Sequence, residues 1–189
     1  MKKLLIGSIV GSIILFVWSF LAWAILPIHL HTINYTPVQD SVLKILADAN
    51  METGVYSMPM VDNRNVGAFD SKYQEDSEKL MKESAGKPMA SIYYLKEGYQ
   101  MNIPRGFFFN FLAVFAACII LVPAFTTTTS FFQRWWFTLI IGLIVNACGP
   151  LINYNWMGMP WSYTLDMVMD IFLNWALVGV WLAWWFGRK

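Results

Sequence analysis

Between Trp135 and Phe186 the chain runs for 52 residues whose only charges are Asp166 and Asp170. As one helix this stretch would measure about 78 Å, far more than the ~30 Å hydrocarbon core of a bilayer. It must cross a membrane, fold back and cross again. Turn residues cluster at Gly149-Pro150, Asn153, Asn155, Gly158 and Pro160. The pattern therefore predicts one span from Trp135 to about Ile152 and another from Trp161 to about Phe186.

Two more spans precede these. Leu4 to Ile28 is 25 residues without a charge, about 37 Å as a helix. Phe107 to Gln133 is also uncharged, but its end, Thr126 to Ser130, is polar and β-branched, so a helix from Phe107 to Phe125 is expected. Composition agrees: 57% of residues are hydrophobic and 13% charged, against roughly 25% charged in soluble domains. The expected fold class is an all-α membrane protein of four transmembrane helices, with a small α+β segment between helices 1 and 2. Residues 1–28 are then the first helix, 29–106 the segment and 107–189 the remaining helices. A rival for the first span is a cleavable signal peptide, with Lys2-Lys3 leading and Ala22-Trp23-Ala24 as the cleavage site. The apolar run exceeds the ~7–15 residues of such a peptide, which favours the span.

Charge predicts the threading. The termini and the connection between the second and third spans carry Lys2, Lys3, Arg134, Arg188 and Lys189 and no acidic residue, whereas His29 to Gly106 carries ten acidic and eight basic residues. By the positive-inside rule both termini are expected in the cytoplasm and the segment outside. Trp135, Trp136, Trp181, Trp184 and Trp185 then fall at the inner boundary, and Trp156 and Trp161 at the outer one, as interfacial aromatic belts.

Within the segment, Thr36-Pro37-Val38-Gln39 reads as a capped start for a helix from Pro37 to Ala49. Strands are expected at Val55–Pro59 and Ala90–Leu95, and a charged helix over Asp70–Ser84 closed by Gly86. So few large apolar side chains make a marginal free-standing domain, one that leans on the membrane, its own helices or a partner.

The order of these features is similar to that in a group of uncharacterised small bacterial inner-membrane proteins. The residues that carry the resemblance are Leu15 to Phe20, Leu26-Pro27-Ile28-His29, Gly54-Val55-Tyr56, Gly86-Lys87-Pro88 and Gly98, followed by paired apolar spans. The resemblance implies a bacterial cytoplasmic membrane and a periplasmic segment, and no activity comes with it.

Among residues that could carry chemistry, Asp166 and Asp170 stand out, because a carboxylate in a span costs several kcal/mol unless paired, neutralised or wet. They lie four apart on one helix face, with Asn174 a turn further. One reading is a proton or cation step. The other is structural, with Asp166 shallow enough for water and the helix N-terminus to hold it. Asn110 and Asn146 come to similar depth under this threading, which suggests one internal hydrogen-bonded cluster of Asp166, Asp170, Asn174, Asn146 and Asn110. As interhelical glue it would be worth about 0.6 kcal/mol per bond.

His29 and His31 with Asp166 suggest a metal, but two histidines at a membrane boundary are more often solvated, and no metal or cofactor is expected. Cys118 and Cys148 differ in depth by about 8 Å and read as small apolar residues. Gly7, Ser8, Gly11 and Ser12 form a small-residue stripe for helix packing, more often an internal contact than a partner surface.

No phosphate loop, nucleophile elbow, Cys-x-x-Cys or His-Glu-x-x-His occurs. A non-enzymatic accessory or scaffolding subunit of a membrane complex is the leading expectation. The alternative is a small oligomeric channel or transporter, linked to protons or cations through the aspartates, and an intramembrane enzyme comes third. Expected partners are the lipid bilayer, other membrane-protein subunits and, for transport, further copies of this chain. A net charge of +1 gives no footprint for nucleic acid.

Overall fold

The computed structural model describes residues 1–67, 69–126 and 130–188. In chain order it holds helix α1 (Lys2–Phe20), which continues as a π-helical turn over Leu21–Ile25, and a 3-10 turn (Pro27–His29). Then come α2 (Gln39–Asp48), strand β1 (Gly54–Met58), α3 (Ser71–Ser84), β2 (Ala90–Tyr94) and α4 (Ile103–Thr126). The chain ends with α5 (Phe131–Asn146), a π-helical turn (Ala147–Leu151), α6 (Ile152–Met157) and α7 (Trp161–Gly187). Four helices are long and apolar enough to cross a membrane: Lys2–Ile25, Ile103–Phe125, Phe131–Met157 and Trp161–Gly187. This is the architecture of a multi-pass membrane protein.

Several helix ends differ from the sequence expectation, each for a local reason. The first span stops at Ile25 because Leu26 is extended (φ −84°, ψ 140°), as the residue before a proline prefers. Helix α4 begins four residues early: Asn102 Oδ1 accepts the Arg105 backbone N–H at 2.8 Å, and Pro104 falls in the first turn, where its missing N–H is harmless. The third span passes straight through Gly149-Pro150, where a break was expected. A π-helical turn absorbs Pro150, whose ring cannot give the regular α-helical bond. The break comes at the far end of the expected turn cluster, at Gly158, in the left-handed region at φ 64°, followed by Pro160. The capping box at Thr36 is not used. Gln39 N–H bonds the Thr36 backbone carbonyl at 3.3 Å in a turn, and α2 starts only after it. Thr127, Thr128 and Thr129, in the expected polar connection, lie outside the described residues.

The chain divides into two compact units, Met1–Tyr35 with Met101–Lys189, and Thr36–Gln100. In the first, α7 packs on both α5 and α1, and α1 packs on α4. The shared core includes Leu15, Val114, Cys118, Leu121, Trp175, Val178 and Leu182. Glycines allow the close crossings. A Cβ on Gly11 would stand 2.8 Å from Val114 Cγ1, one on Gly142 2.9 Å from Trp175 Cβ, and one on Gly179 3.0 Å from Trp135 Cδ1. Lys3, Arg134 and Arg188 gather at one end of this unit, while Arg105 stands in the first turn of α4. Lys3 Nζ donates to the Arg188 carbonyl, Arg134 Nε donates to the Ala183 carbonyl at 3.0 Å, and the Arg188 guanidinium lies 3.5 Å over the Trp184 ring.

The second unit is a two-stranded antiparallel sheet, with Gly54 opposite Tyr94 and Met58 opposite Ala90, plus α2 and α3. Asp70 caps α3 by accepting the Tyr73 N–H at 3.0 Å. The Arg64 side chain, hydrogen-bonded to exposed Asp62, holds that carboxyl well below the usual carboxylate range. Among the described residues of this unit Leu46 alone is buried.

Candidate functional site

The polar residues of the first unit are organised by α7, whose Thr164, Asp170 and Asn174 are buried. Asp170 is 9% exposed. Its Oδ1 accepts the indole N–H of Trp18 at 2.6 Å and its Oδ2 that of Trp23 at 3.1 Å. Five residues apart on an α-helix, two side chains point about 140° away from each other. The π-helical turn at Leu21–Ile25 changes the register of the second, and both indoles reach one carboxylate. Among the described residues no ion pair reaches Asp170, and its carboxyl is met by neutral donors.

Asp166, one turn earlier, has a separate set of neighbours. Its Oδ2 accepts the Thr32 hydroxyl at 3.0 Å and lies 3.6 Å from both His29 Nδ1 and His31 Nε2. His29 is buried and stacked on Trp23, ring centroids 3.9 Å apart and planes 17° from parallel. The Trp23 ring thus touches His29 on its face and Asp170 through its N–H.

The five residues expected to form one cluster do not. Asn174 Nδ2 donates to Ser19 Oγ at 3.3 Å, and Asn146 Nδ2 donates to the Val168 backbone carbonyl at 3.2 Å. Asn110 lines a groove of about 340 Å³ with Phe16, Ser19, Trp23, Asn102 and Ile103. Among the described residues no hydrogen bond joins any two of the five. The reason is packing: Asn146 reaches α7 from α5, Asp170 and Asn174 are met from α1, and Asn110 sits on α4, whose main neighbour is α1.

The small-residue stripe faces inward. Ser8 and Ser12 are fully buried, their hydroxyls returning to the Leu4 and Ile9 carbonyls at 2.9 and 2.8 Å. A Cβ on Gly7 would meet Phe186 Cζ at 2.8 Å. Gly7 and Gly11 therefore seat α1 against α7 and α4 and leave no free face there.

Seven of the ten tryptophans were expected in interfacial belts, and three of those seven also tie helices together. Besides Trp18 and Trp23, Trp135 Nε1 donates to the Ala176 carbonyl at 2.9 Å, Trp181 Nε1 to Gly7 O at 2.9 Å and Trp185 Nε1 to Lys3 O at 2.8 Å. An indole carries one donor and no acceptor, so inside an apolar bundle it seeks a carbonyl or a carboxylate. Trp136, Trp156 and Trp161 are exposed.

Among the described residues no group of three or more His, Cys, Asp or Glu side chains is arranged to hold a metal ion. Cys118 is buried, Cys148 exposed, and both are free. Compared with family models, curated proteins and solved structures, the chain matches none.

Proposed function

We propose that this protein is a non-catalytic accessory subunit of a bacterial inner-membrane complex, anchored by its four-helix unit and binding a partner through the segment between its first two spans. The observation that supports this most is the state of that segment. Val55, Met58, Met60, Met81, Met89 and Tyr93 are each more than 40% exposed, while among the described residues of 36–100 Leu46 alone is buried. So much uncovered apolar surface on so small a core is typical of a binding module. Pro59, Met60, Val61, Tyr73, Leu80 and Met81 line one groove, and methionine adapts well to a partner's contour. Lys3, Arg134 and Arg188, together at one end of the helical unit, support a threading with both termini cytoplasmic and the segment periplasmic. A reporter near Gly67 is then expected to read periplasm and one after Lys189 cytoplasm.

Native purification in mild detergent tests the proposal. A partner chain is expected to co-elute in fixed stoichiometry and to be lost from Met60→Asp and Met81→Asp variants that still insert. Elution of the chain alone, at every mild detergent condition that keeps it folded, would overturn it.

A second reading, a small oligomeric channel or transporter linked to protons or cations, is favoured by the burial of Asp170 against neutral donors, since an ionisable residue in a span suggests an ion pathway. Asp170→Asn is then expected to abolish a pH-dependent flux in proteoliposomes. A wild type without flux would remove this reading.

A further inference from the structure

Ile14 of α1 and Leu177, Val180, Trp181 and Trp184 of α7 line a groove of about 350 Å³ where these two helices pack. Leu177, Val180 and Trp184 are each more than 40% exposed, so along these spans the groove opens toward lipid. Its wall is held in place. Trp181 Nε1 donates to the Gly7 carbonyl at 2.9 Å, its ring stacks on Trp185 with planes 17° apart, and Trp185 Nε1 donates to the Lys3 carbonyl at 2.8 Å.

Two cations stand at one end of the groove. The Arg188 guanidinium lies 3.5 Å over the ring of Trp184, itself a groove residue, and Lys3 Nζ donates to the Arg188 carbonyl. Among the described residues no carboxylate is near them. The acidic residues of the helical unit are Asp166 and Asp170, and eighteen residues, about 27 Å of helix, separate Asp170 from Arg188. Among the described residues the guanidinium makes no hydrogen bond, so its donors are open to a phosphate. Lys3 and Ile14 are eleven residues apart, as are Leu177 and Arg188. On a helix that spacing is about three turns and about 16 Å, returning to within about 20° of the same face. Half of a ~30 Å hydrocarbon core is about 15 Å. The groove thus runs one leaflet deep from the cations.

We propose that this groove binds an anionic phospholipid of the leaflet at this end, with one acyl chain along Ile14, Leu177, Val180 and Trp184 and the phosphate between Lys3 and Arg188. Charge chooses this occupant. An apolar groove alone takes any acyl chain, whereas two cations without a carboxylate partner at its mouth, at the depth of the headgroups, add a preference for a negative lipid. Arginine offers a planar fork that meets two phosphate oxygens, and lysine adds a second charge without fixed geometry. The bound lipid touches both helices and so joins α1 to α7. The proposal rests neither on the accessory reading nor on the transport reading.

Native mass spectrometry of the full-length protein with dioleoyl phosphatidylglycerol and dioleoyl phosphatidylcholine tests this. One phosphatidylglycerol adduct is expected, retained about twentyfold over phosphatidylcholine. Lys3→Gln and Arg188→Gln are each expected to lower that preference about fivefold, and Arg188→Lys to keep most of it. Val180→Trp, which puts a ring into the groove and leaves both cations, is expected to release the lipid, while excess inorganic phosphate is expected to leave the wild-type adduct in place. Lys3, Val180 and Arg188 are all exposed, so these variants leave the buried core untouched. Equal retention of the two lipids, a preference unchanged in both Gln variants, or a loss in Arg188→Lys as large as in Arg188→Gln would overturn the proposal. So would an adduct that survives in Val180→Trp or is displaced by phosphate, since the cations alone would then be the site. A lipid-free dimer would overturn it too, the groove then being closed by a second copy.

Discussion

The indole N–H of Trp18 donates to Asp170 Oδ1 at 2.6 Å, joining α1 to α7 across 152 residues of chain. With Trp23 on the other carboxylate oxygen, a single buried side chain holds two points of the first helix. The helical unit is thus tied by hydrogen bonds at residues whose neighbours are apolar, where each bond lacks competition from water.

Replacing Asp170 separates shape from hydrogen bonding. Asp170→Asn retains one acceptor for the indoles, while Asp170→Leu takes the acceptor from half-buried Trp18 and exposed Trp23, at up to about 1–3 kcal/mol each. Denaturant unfolding in detergent is expected to rank wild type above Asn above Leu. A double-mutant cycle of Trp18→Phe with Asp170→Leu is expected to show coupling, since the second change removes a bond the first has already lost. Strict additivity would mean that the Trp18 bond contributes nothing.

The glycines of α1 are not equivalent. A Cβ on Gly11 meets a methyl of Val114, a fully buried β-branched side chain that cannot swing aside, whereas one on Gly7 meets the far edge of the Phe186 ring, which can turn. Gly11→Ala is therefore expected to lower stability by about 1–3 kcal/mol and Gly7→Ala by less. Paired melting curves measure the difference, and equal losses would contradict it.

Much of the architecture was legible in the sequence, because apolar length and scarce charge leave few choices. The four spans, the Asp70–Ser84 helix and both strands follow from run length, capping and β-branched or aromatic residues. What misled was local. Pro150 looks like a break unless a π-helical turn is allowed for, and the span continues to a left-handed Gly158. The pairing of Trp18 and Trp23 with one aspartate was hidden by their five-residue spacing, which places them on different faces of an ordinary α-helix. The asparagines were expected together from depth alone. Depth along a helix does not say which neighbour a side chain turns toward.

The segment of residues 36–100 has one buried residue among those described, so alone it is expected to unfold broadly and to exchange its amides faster than in the full-length protein. Hydrogen exchange on both forms measures this. A sharp cooperative transition of the isolated segment near ~60 °C would contradict it.

A photo-activated crosslinking amino acid placed at Met81 of the full-length protein in intact cells tests the binding role of this segment most directly. Met81 is 70% exposed and borders the apolar groove. One discrete adduct with another protein is expected, and it should disappear when Met60→Asp is added. Illumination that leaves the chain uncrosslinked, or crosslinked to lipid alone, would contradict the accessory-subunit proposal.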